Sequence, residues 1–176
     1  MNLYLIGYRC TGKSCVGSIL ARRLAWPFVD TDRRVVARAG RPIADIVADR
    51  GWPAFRELER DVLREVAAGD RQVVATGGGV PCHGENRRIM AGSGTVVWLR
   101  AAPAVIAARL AADTASAEQR PALGGGDALC EVAGILARRE PLYRRAAQLA
   151  VDTDTLTVEA VAAAVLKEIE KKARVT

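Results

Sequence analysis

Short apolar runs alternate along this chain with longer segments in which apolar residues recur every three or four positions. The short runs predict β-strands at Leu3–Gly7, Pro27–Asp30, Gln72–Ala75, Gly94–Leu99 and Leu149–Asp152. The longer segments predict α-helices at Lys13–Leu24, Pro42–Val47, Trp52–Ala68, Gly84–Met90, Ala102–Ala111, Cys130–Ala146 and Val158–Lys172. Because neighbouring parallel strands need a crossover between them, this alternation predicts an α/β fold built on a parallel sheet.

The length of the chain fits a single domain. It has 176 residues and no internal repeat, so residues 1–176 are interpreted as one domain. One segment, Ala111 to Asp127, has the composition of a flexible loop, with small residues and three consecutive glycines around Arg120. No apolar stretch reaches the length of a membrane span and the N-terminus lacks a signal-peptide pattern, so we expect a cytoplasmic protein with no membrane partner.

Charge and cysteine content narrow the function classes. The formal net charge of +6 suits polyanionic ligands, but the arginines are scattered rather than grouped in one stripe, so a nucleic-acid partner is not expected. The four cysteines include no C-x-x-C pair and His83 is the one histidine, which argues against a structural zinc site. Cys10 and Cys15 are interpreted as small residues that fit their positions, with a reactive thiol at a helix N-terminus as the alternative.

The strongest signal is a phosphate-binding loop directly after the first predicted strand. Residues 7–14, called the phosphate loop below, read Gly7-Tyr8-Arg9-Cys10-Thr11-Gly12-Lys13-Ser14 and match the pattern G-x-x-x-x-G-K-[ST] in full. The end glycines let successive backbone N–H groups converge on phosphate oxygens, and the following helix adds its positive N-terminal end. We expect Lys13 to reach the β- and γ-phosphates and Ser14 to offer its hydroxyl to Mg²⁺.

Motifs that are missing from the sequence narrow the nucleotide-binding class. A GTPase would carry Asn-Lys-x-Asp to read guanine, yet neither Asn2 nor Asn86 precedes a lysine. Transport and remodelling ATPases usually end an apolar strand with an acidic residue, whereas the strand that ends at Leu99 continues into Arg100. A small-molecule phosphotransferase remains the interpretation that fits.

Two carboxylates follow the second predicted strand. Asp30 and Asp32 are separated by one residue and come about twenty residues after the phosphate loop. In open α/β sheets ligands gather at the carboxyl ends of the strands, so both carboxylates should face the γ-phosphate. One could hold Mg²⁺ through its water shell while the other accepts the proton of an attacking alcohol. Capping of a turn is the alternative role.

Three further segments suggest a pocket for an anionic acceptor. Arg56 lies off the apolar stripe of its predicted helix, and Gly77-Gly78-Gly79 exposes backbone N–H groups after the third strand. Arg139 precedes Pro141, which is expected to kink or interrupt its helix. Two arginines from distant segments would suit a carboxylate, because the guanidinium fork matches it with two hydrogen bonds. Surface charge is the alternative role for each arginine.

Taken in order, these segments resemble the shikimate kinase family over nearly the whole chain. The matching segments are Gly7 to Ser14, Asp30-Thr31-Asp32, Phe55-Arg56 with Glu59, Gly77-Gly78-Gly79, Arg120-Pro121, and Arg139 with Pro141-Leu142-Tyr143. The resemblance implies a nucleoside monophosphate kinase-like fold, three-layer α-β-α with a central five-stranded parallel sheet, an acceptor-binding region at about 31–60 and a mobile lid at about 111–127. It also implies a monomer that uses ATP and Mg²⁺ to phosphorylate the 3-hydroxyl of shikimate, on the route to chorismate and aromatic amino acids.

The resemblance implies roles for the acceptor side. Shikimate is expected to contact Asp32, Arg56, Gly78, Gly79 and Arg139. Within this set Asp32 would bind the hydroxyls and act as the base, and the two arginines would hold the carboxylate. Ser14 would bind Mg²⁺, and Asp30 would touch the water shell of the ion.

For the nucleotide side, ATP is expected to contact Gly7, Tyr8, Arg9, Cys10, Thr11, Gly12, Lys13, Ser14, Cys15, Arg109 and Arg120. Arg109 would lie against adenine. Arg120 would swing in with the lid and act with Lys13 as a catalytic cation on the transferred phosphoryl group.

The chain departs from the family pattern at three positions. Cys10 stands where the loop usually carries glycine, Cys15 where threonine often follows, and Ala122 where leucine is commoner in the lid. Two other interpretations stay open. A gluconate kinase would share the fold and also take a hydroxy acid, and a nucleotide-binding regulatory or nucleic-acid-binding module would suit the basic charge.

Overall fold

A five-stranded parallel sheet forms the centre of the computed structural model, which describes residues 1–113 and 128–175. The strands are β1 Asn2–Ile6, β2 Phe28–Asp30, β3 Val73–Ala75, β4 Gly94–Arg100 and β5 Leu149–Asp152. Their spatial order is β2-β3-β1-β4-β5, and every adjacent pair is parallel. The predicted α/β class and the five-stranded parallel sheet are confirmed.

Helices cover both faces of the sheet. In the described residues they are α1 Lys13–Leu24, α2 Thr31–Ala39, α3 Ile43–Ala68, α4 Gly84–Ser93, α5 Pro103–Ala112, α6 Ala128–Ala146 and α7 Val158–Val175, with a 3₁₀ turn at Val80–Cys82. Alternate residues of β1 enter different cores: Tyr4 and Ile6 pack with α2 to α6, whereas Leu3 and Leu5 pack with α1 and α7. This arrangement confirms the three layers. No helix in the described ranges is long and apolar enough to cross a membrane.

The structure differs from the predicted elements in two places, at α2 and at Pro141. Helix α2 was not predicted, because its buried residues are only Thr31 and Val35, too few to give a helical apolar period. The two helices predicted at 42–47 and 52–68 are confirmed as the two parts of α3, which non-helical backbone at Gly51 (φ 75°, ψ 170°) separates. Helix α6 contains Pro141 without being interrupted by it.

The register of the sheet brings three chain segments to one edge. Leu5 of β1 and Asp30 of β2 both pair with Ala75 at the end of β3. The next residue after β3, Thr76, donates its N–H to the Leu5 carbonyl at 3.1 Å, so the chain just before the glycine run is hydrogen-bonded to β1. The phosphate loop, Asp32 and Gly77-Gly78-Gly79 therefore begin at neighbouring carboxyl ends, where open α/β sheets bind ligands.

Candidate active site

The phosphate loop joins β1 to α1 with glycine where the backbone requires it. Gly7 has φ 143°, and a Cβ there would lie 2.5 Å from the Leu99 carbonyl oxygen. Gly12 has φ 88° and precedes the first turn of α1. Inside the loop the Tyr8 carbonyl accepts hydrogen bonds from Thr11 Oγ1 at 2.8 Å and from Lys13 Nζ at 2.6 Å. Lys13 thus lies across its own loop, where a phosphate oxygen can exchange for the carbonyl as its partner.

Cys10 occupies a backbone conformation that favours glycine. Its φ is 59°, in the left-handed region. The thiol donates to Asp113 Oδ2 at 3.6 Å, and the Cys10 carbonyl accepts from Arg109 Nη1 at 3.3 Å. The departure from glycine noted in the sequence therefore carries a conformational cost.

We expect Cys10→Gly to raise the free energy of unfolding by about 0.5–1 kcal/mol, since the left-handed penalty exceeds the extra entropy of glycine in the unfolded chain. Cys10→Val should lower it by about 1 kcal/mol, because a branched Cβ fits this conformation poorly. Urea unfolding followed by circular dichroism measures both changes. A Gly variant that unfolds at lower urea than the parent chain would contradict the expectation.

A cavity of about 230 Å³ lies beside the phosphate loop on the side of α7. Its lining residues are Cys10, Thr11, Gly12, Val16, Arg109, Thr153, Val158 and Val161. The Arg109 guanidinium is fixed at the wall by Nη1, which donates to Thr153 Oγ1 at 3.1 Å. A flat cation next to apolar side chains is suited to a heteroaromatic base.

Oxygen donors meet on the other side of the loop. Ser14 Oγ donates to Asp30 Oδ2 at 2.9 Å, while Asp30 Oδ1 accepts the N–H groups of Asp32 at 3.0 Å and Arg33 at 3.2 Å. Asp30 therefore caps α2, as the turn-capping alternative predicts, and at the same time contacts Ser14 of the phosphate loop. A hydroxyl and a carboxylate are hard ligands of the kind that Mg²⁺ takes.

The arginines predicted for the acceptor line one cavity of about 70 Å³. Its lining residues are Arg9, Asp32, Ile43, Trp52, Phe55, Arg56, Glu59, Gly77, Gly78, Gly79 and Arg139. A Cβ on Gly77 would lie 2.5 Å from Asp32 Oδ1, and one on Gly79 would lie 2.5 Å from Arg56 Nη2. The glycine run therefore lets its backbone approach both a carboxylate and a guanidinium.

Glu59 fixes the orientation of Arg56. It is 1% exposed, and its Oε2 accepts from Arg56 Nη1 at 2.6 Å. The Arg56 guanidinium also lies 5.1 Å from the ring centre of Trp52 and 5.0 Å from that of Phe55. The sequence predicted no role for Glu59. Its position three residues after Arg56 on a predicted helix indicates an ion pair between the two side chains.

Burial raises the pKa of the Glu59 carboxyl from 4.5 to about 7, against the opposing effect of Arg56. A pKa raised by folding means that the folded chain loses stability as pH rises from 4.5 to 7. We expect Glu59→Gln, which does not titrate, to gain about 2–3 kcal/mol relative to the parent chain over this window. Urea unfolding at pH 4.5, 6 and 8 tests it, and a parent chain that gains relative stability with pH would contradict it.

The structure also shows where the other predicted residues lie. Arg139 Nη1 is 3.5 Å from the Gly78 carbonyl, which accepts a hydrogen bond from Tyr143 Oη at 2.7 Å. Arg9, predicted on the nucleotide side, is among the residues that line the acceptor cavity. Cys15 is exposed on α1. Arg120 lies outside the described residues, as does the predicted lid from residue 114 to 127.

Comparison with known proteins decides the family. The family model described as shikimate kinase matches residues 9–170. The chain belongs to the shikimate kinase family. A shikimate kinase of Nitratidesulfovibrio vulgaris is 48% identical over 153 residues, covering 87% of each chain. One from Symbiobacterium thermophilum is 41% identical over 172 residues, covering 98% of each chain.

A solved structure of the shikimate kinase family shows the same fold. The enzyme from Acinetobacter baumannii, described as a complex with shikimate, superposes with a TM-score of 0.88 at 30% sequence identity. The match covers 97% of this chain and 93% of that one.

Proposed function

We propose that this chain transfers the γ-phosphoryl group of ATP to the 3-hydroxyl of shikimate, giving shikimate 3-phosphate and ADP. Membership of the shikimate kinase family supports the reaction and its place in the biosynthesis of chorismate and aromatic amino acids. One observation carries the assignment to residues: Asp32 lines a cavity with Arg56 and Arg139 at the sheet edge that also holds the phosphate loop.

Asp32 is the proposed base. Its carboxylate accepts the proton of the 3-hydroxyl while the hydroxyl oxygen bonds to the γ-phosphorus and the bond to the leaving oxygen of ADP breaks. Support comes from its place in the first turn of α2, where the Asp30 cap holds the backbone N–H of Asp32. The missing Cβ of Gly77 lets the Asp32 carboxylate take this position against the backbone.

Arg56 and Arg139 are proposed to bind the acceptor carboxylate. Arg56 is half-buried against two aromatic rings and paired with Glu59, so its guanidinium is held before the acceptor arrives. Arg139 reaches the same cavity from α6, next to the Gly78 carbonyl. Two forks on one anion fix its orientation as well as its charge, which directs the 3-hydroxyl toward Asp32.

Lys13 is proposed to balance the negative charge on the transferred group. Its Nζ already lies inside the phosphate loop, and phosphoryl transfer depends on positioning and electrostatic stabilisation. Arg120 is proposed as a second cation, carried by a lid at about 111–127 within a single domain of residues 1–176.

Ser14 and Asp30 are proposed to hold Mg²⁺, Ser14 directly and Asp30 through water. Their oxygens are 2.9 Å apart and belong to the hard donor class that the ion prefers. The ion would neutralise phosphate charge when bound.

We also infer a cytoplasmic monomer without membrane partners. Nucleic acid is not an expected partner either, since the arginines line a cavity or form ion pairs on several helices rather than one stripe.

Turnover with a panel of acceptors tests the proposed function. ADP formation from Mg²⁺-ATP is measured with shikimate, with gluconate, with a nucleoside monophosphate and without acceptor. We expect turnover above background with shikimate alone. Turnover with gluconate instead would keep the phosphotransfer site and reject the acceptor, and nucleotide binding without turnover on any acceptor would favour a regulatory module.

A further inference from the structure

The ring of Tyr8 lies in the protein core although Tyr8 belongs to the phosphate loop. The residue is 2% exposed, and its side chain is part of the cluster that also contains Trp98 and Tyr143. A nucleotide in the phosphate loop can therefore reach Tyr8 through its backbone, while the ring is available to the protein side.

The buried ring contacts the acceptor side of the site. The Cζ of Arg139 lies over the Tyr8 ring, 5.7 Å from its centre. The Nη1 of the same guanidinium is 3.5 Å from the Gly78 carbonyl, whose position is fixed by a hydrogen bond from the hydroxyl of Tyr143 at 2.7 Å. Arg139 thus contacts both an aromatic face and a carbonyl of fixed position.

An aromatic face attracts a guanidinium, and the attraction grows when the pair is shielded from water. Holding a long side chain in one orientation also removes part of the entropy that ligand binding would otherwise cost. Both effects make the site a better receptor for an anion without any contact between Tyr8 and that anion.

We propose that Tyr8 is a positioning residue of the acceptor site, whose ring holds the Arg139 guanidinium in the orientation that receives the substrate carboxylate. The inference rests on the proposed role of Arg139 in shikimate binding. Tyr8 then serves two sites with two parts of one residue: its carbonyl accepts from Lys13 on the nucleotide side, and its ring supports Arg139 on the acceptor side.

The two parts can be separated by changing only the side chain. Tyr8→Leu removes the aromatic face and keeps the carbonyl, so we expect the KM for shikimate to rise about five- to tenfold, with kcat and the KM for ATP within about twofold. Tyr8→Phe keeps the aromatic face and should restore the KM for shikimate to within about twofold of the parent value.

Tyr4→Leu is the matched control for loss of packing. Tyr4 is fully buried in the same cluster, its hydroxyl contacts Ser93 Oγ at 2.7 Å, and the same substitution leaves the Arg139 contact in place. Its KM for shikimate should stay within about twofold of the parent value. An equal rise in Tyr4→Leu, or an unchanged KM in Tyr8→Leu, would overturn the inference.

A second comparison avoids any question of folding. Phenylalanine and trifluorophenylalanine at position 8 have nearly the same shape, but fluorine weakens the negative charge of the ring face. The fluorinated chain should show the higher KM for shikimate, and equal values would overturn the inference. Absence of shikimate turnover in the parent chain would reject the proposed function itself, whereas normal parent turnover with unaffected variants rejects the role of Tyr8 alone.

Discussion

Asp32→Asn is expected to lower kcat by about 10²–10⁴-fold while the KM for ATP stays within about twofold. Asparagine has nearly the shape of aspartate. Its backbone N–H can still donate to Asp30 Oδ1, as that of Asp32 does at 3.0 Å, so α2 should retain its first turn. What is lost is the group that takes the proton of the acceptor hydroxyl. Steady-state kinetics with shikimate and Mg²⁺-ATP, together with thermal unfolding, measures the effect.

Asp45→Asn is the matched control for this loss. Asp45 is an exposed carboxylate in the first turn of α3, so the change removes the same charge without altering the cavity. Its kcat should stay within about twofold of the parent value. A kcat for Asp32→Asn as high as that of the control would remove Asp32 from the role of base.

Arg139→Ala is expected to raise the KM for shikimate by about 10- to 100-fold, because the anionic acceptor loses charge-assisted hydrogen bonds in a half-buried site. The KM for ATP should change by less than about threefold. The KM of Arg139→Lys for shikimate should fall between the values of the parent chain and of Arg139→Ala, since an ammonium keeps the charge but not the planar fork. Kinetics at saturating ATP with shikimate varied gives these values.

The neighbouring Arg138 provides the control on the same helix. It is exposed, so Arg138→Ala removes one positive charge from α6 and leaves the cavity lining unchanged. We expect parent-like kinetics from it. If Arg139→Ala raised only the KM for ATP, the assignment of Arg139 to the acceptor carboxylate would be wrong.

The parts of the site that directly follow a strand could be predicted from the sequence. The phosphate loop, Asp30 and the glycine run each come right after an apolar run, and parallel pairing then brings these ends to one edge. Helix α2 was missed because its polar sequence gives almost no apolar period, although Asp30 is a recognisable N-cap.

Contacts made by side chains from distant elements could not be predicted in the same way. The ring of Tyr8 packs into a core that includes residues of β1, β4 and α6, and Arg9 lines the acceptor cavity. Which way a loop side chain points depends on the packing of all these elements together, and no local spacing encodes it. The strained backbone of Cys10 likewise follows from the closed geometry of the loop.

The position of the phosphate on the product tests the central claim most directly. After the reaction of shikimate with Mg²⁺-ATP, phosphorus and proton magnetic resonance of the purified product identifies the phosphorylated carbon. The account predicts a single monoester at the 3-hydroxyl, formed in equal amount with ADP and about 10²–10⁴-fold more slowly when Asp32→Asn replaces the parent chain. Phosphate on another hydroxyl, or ADP released without a phosphorylated acid, would contradict it.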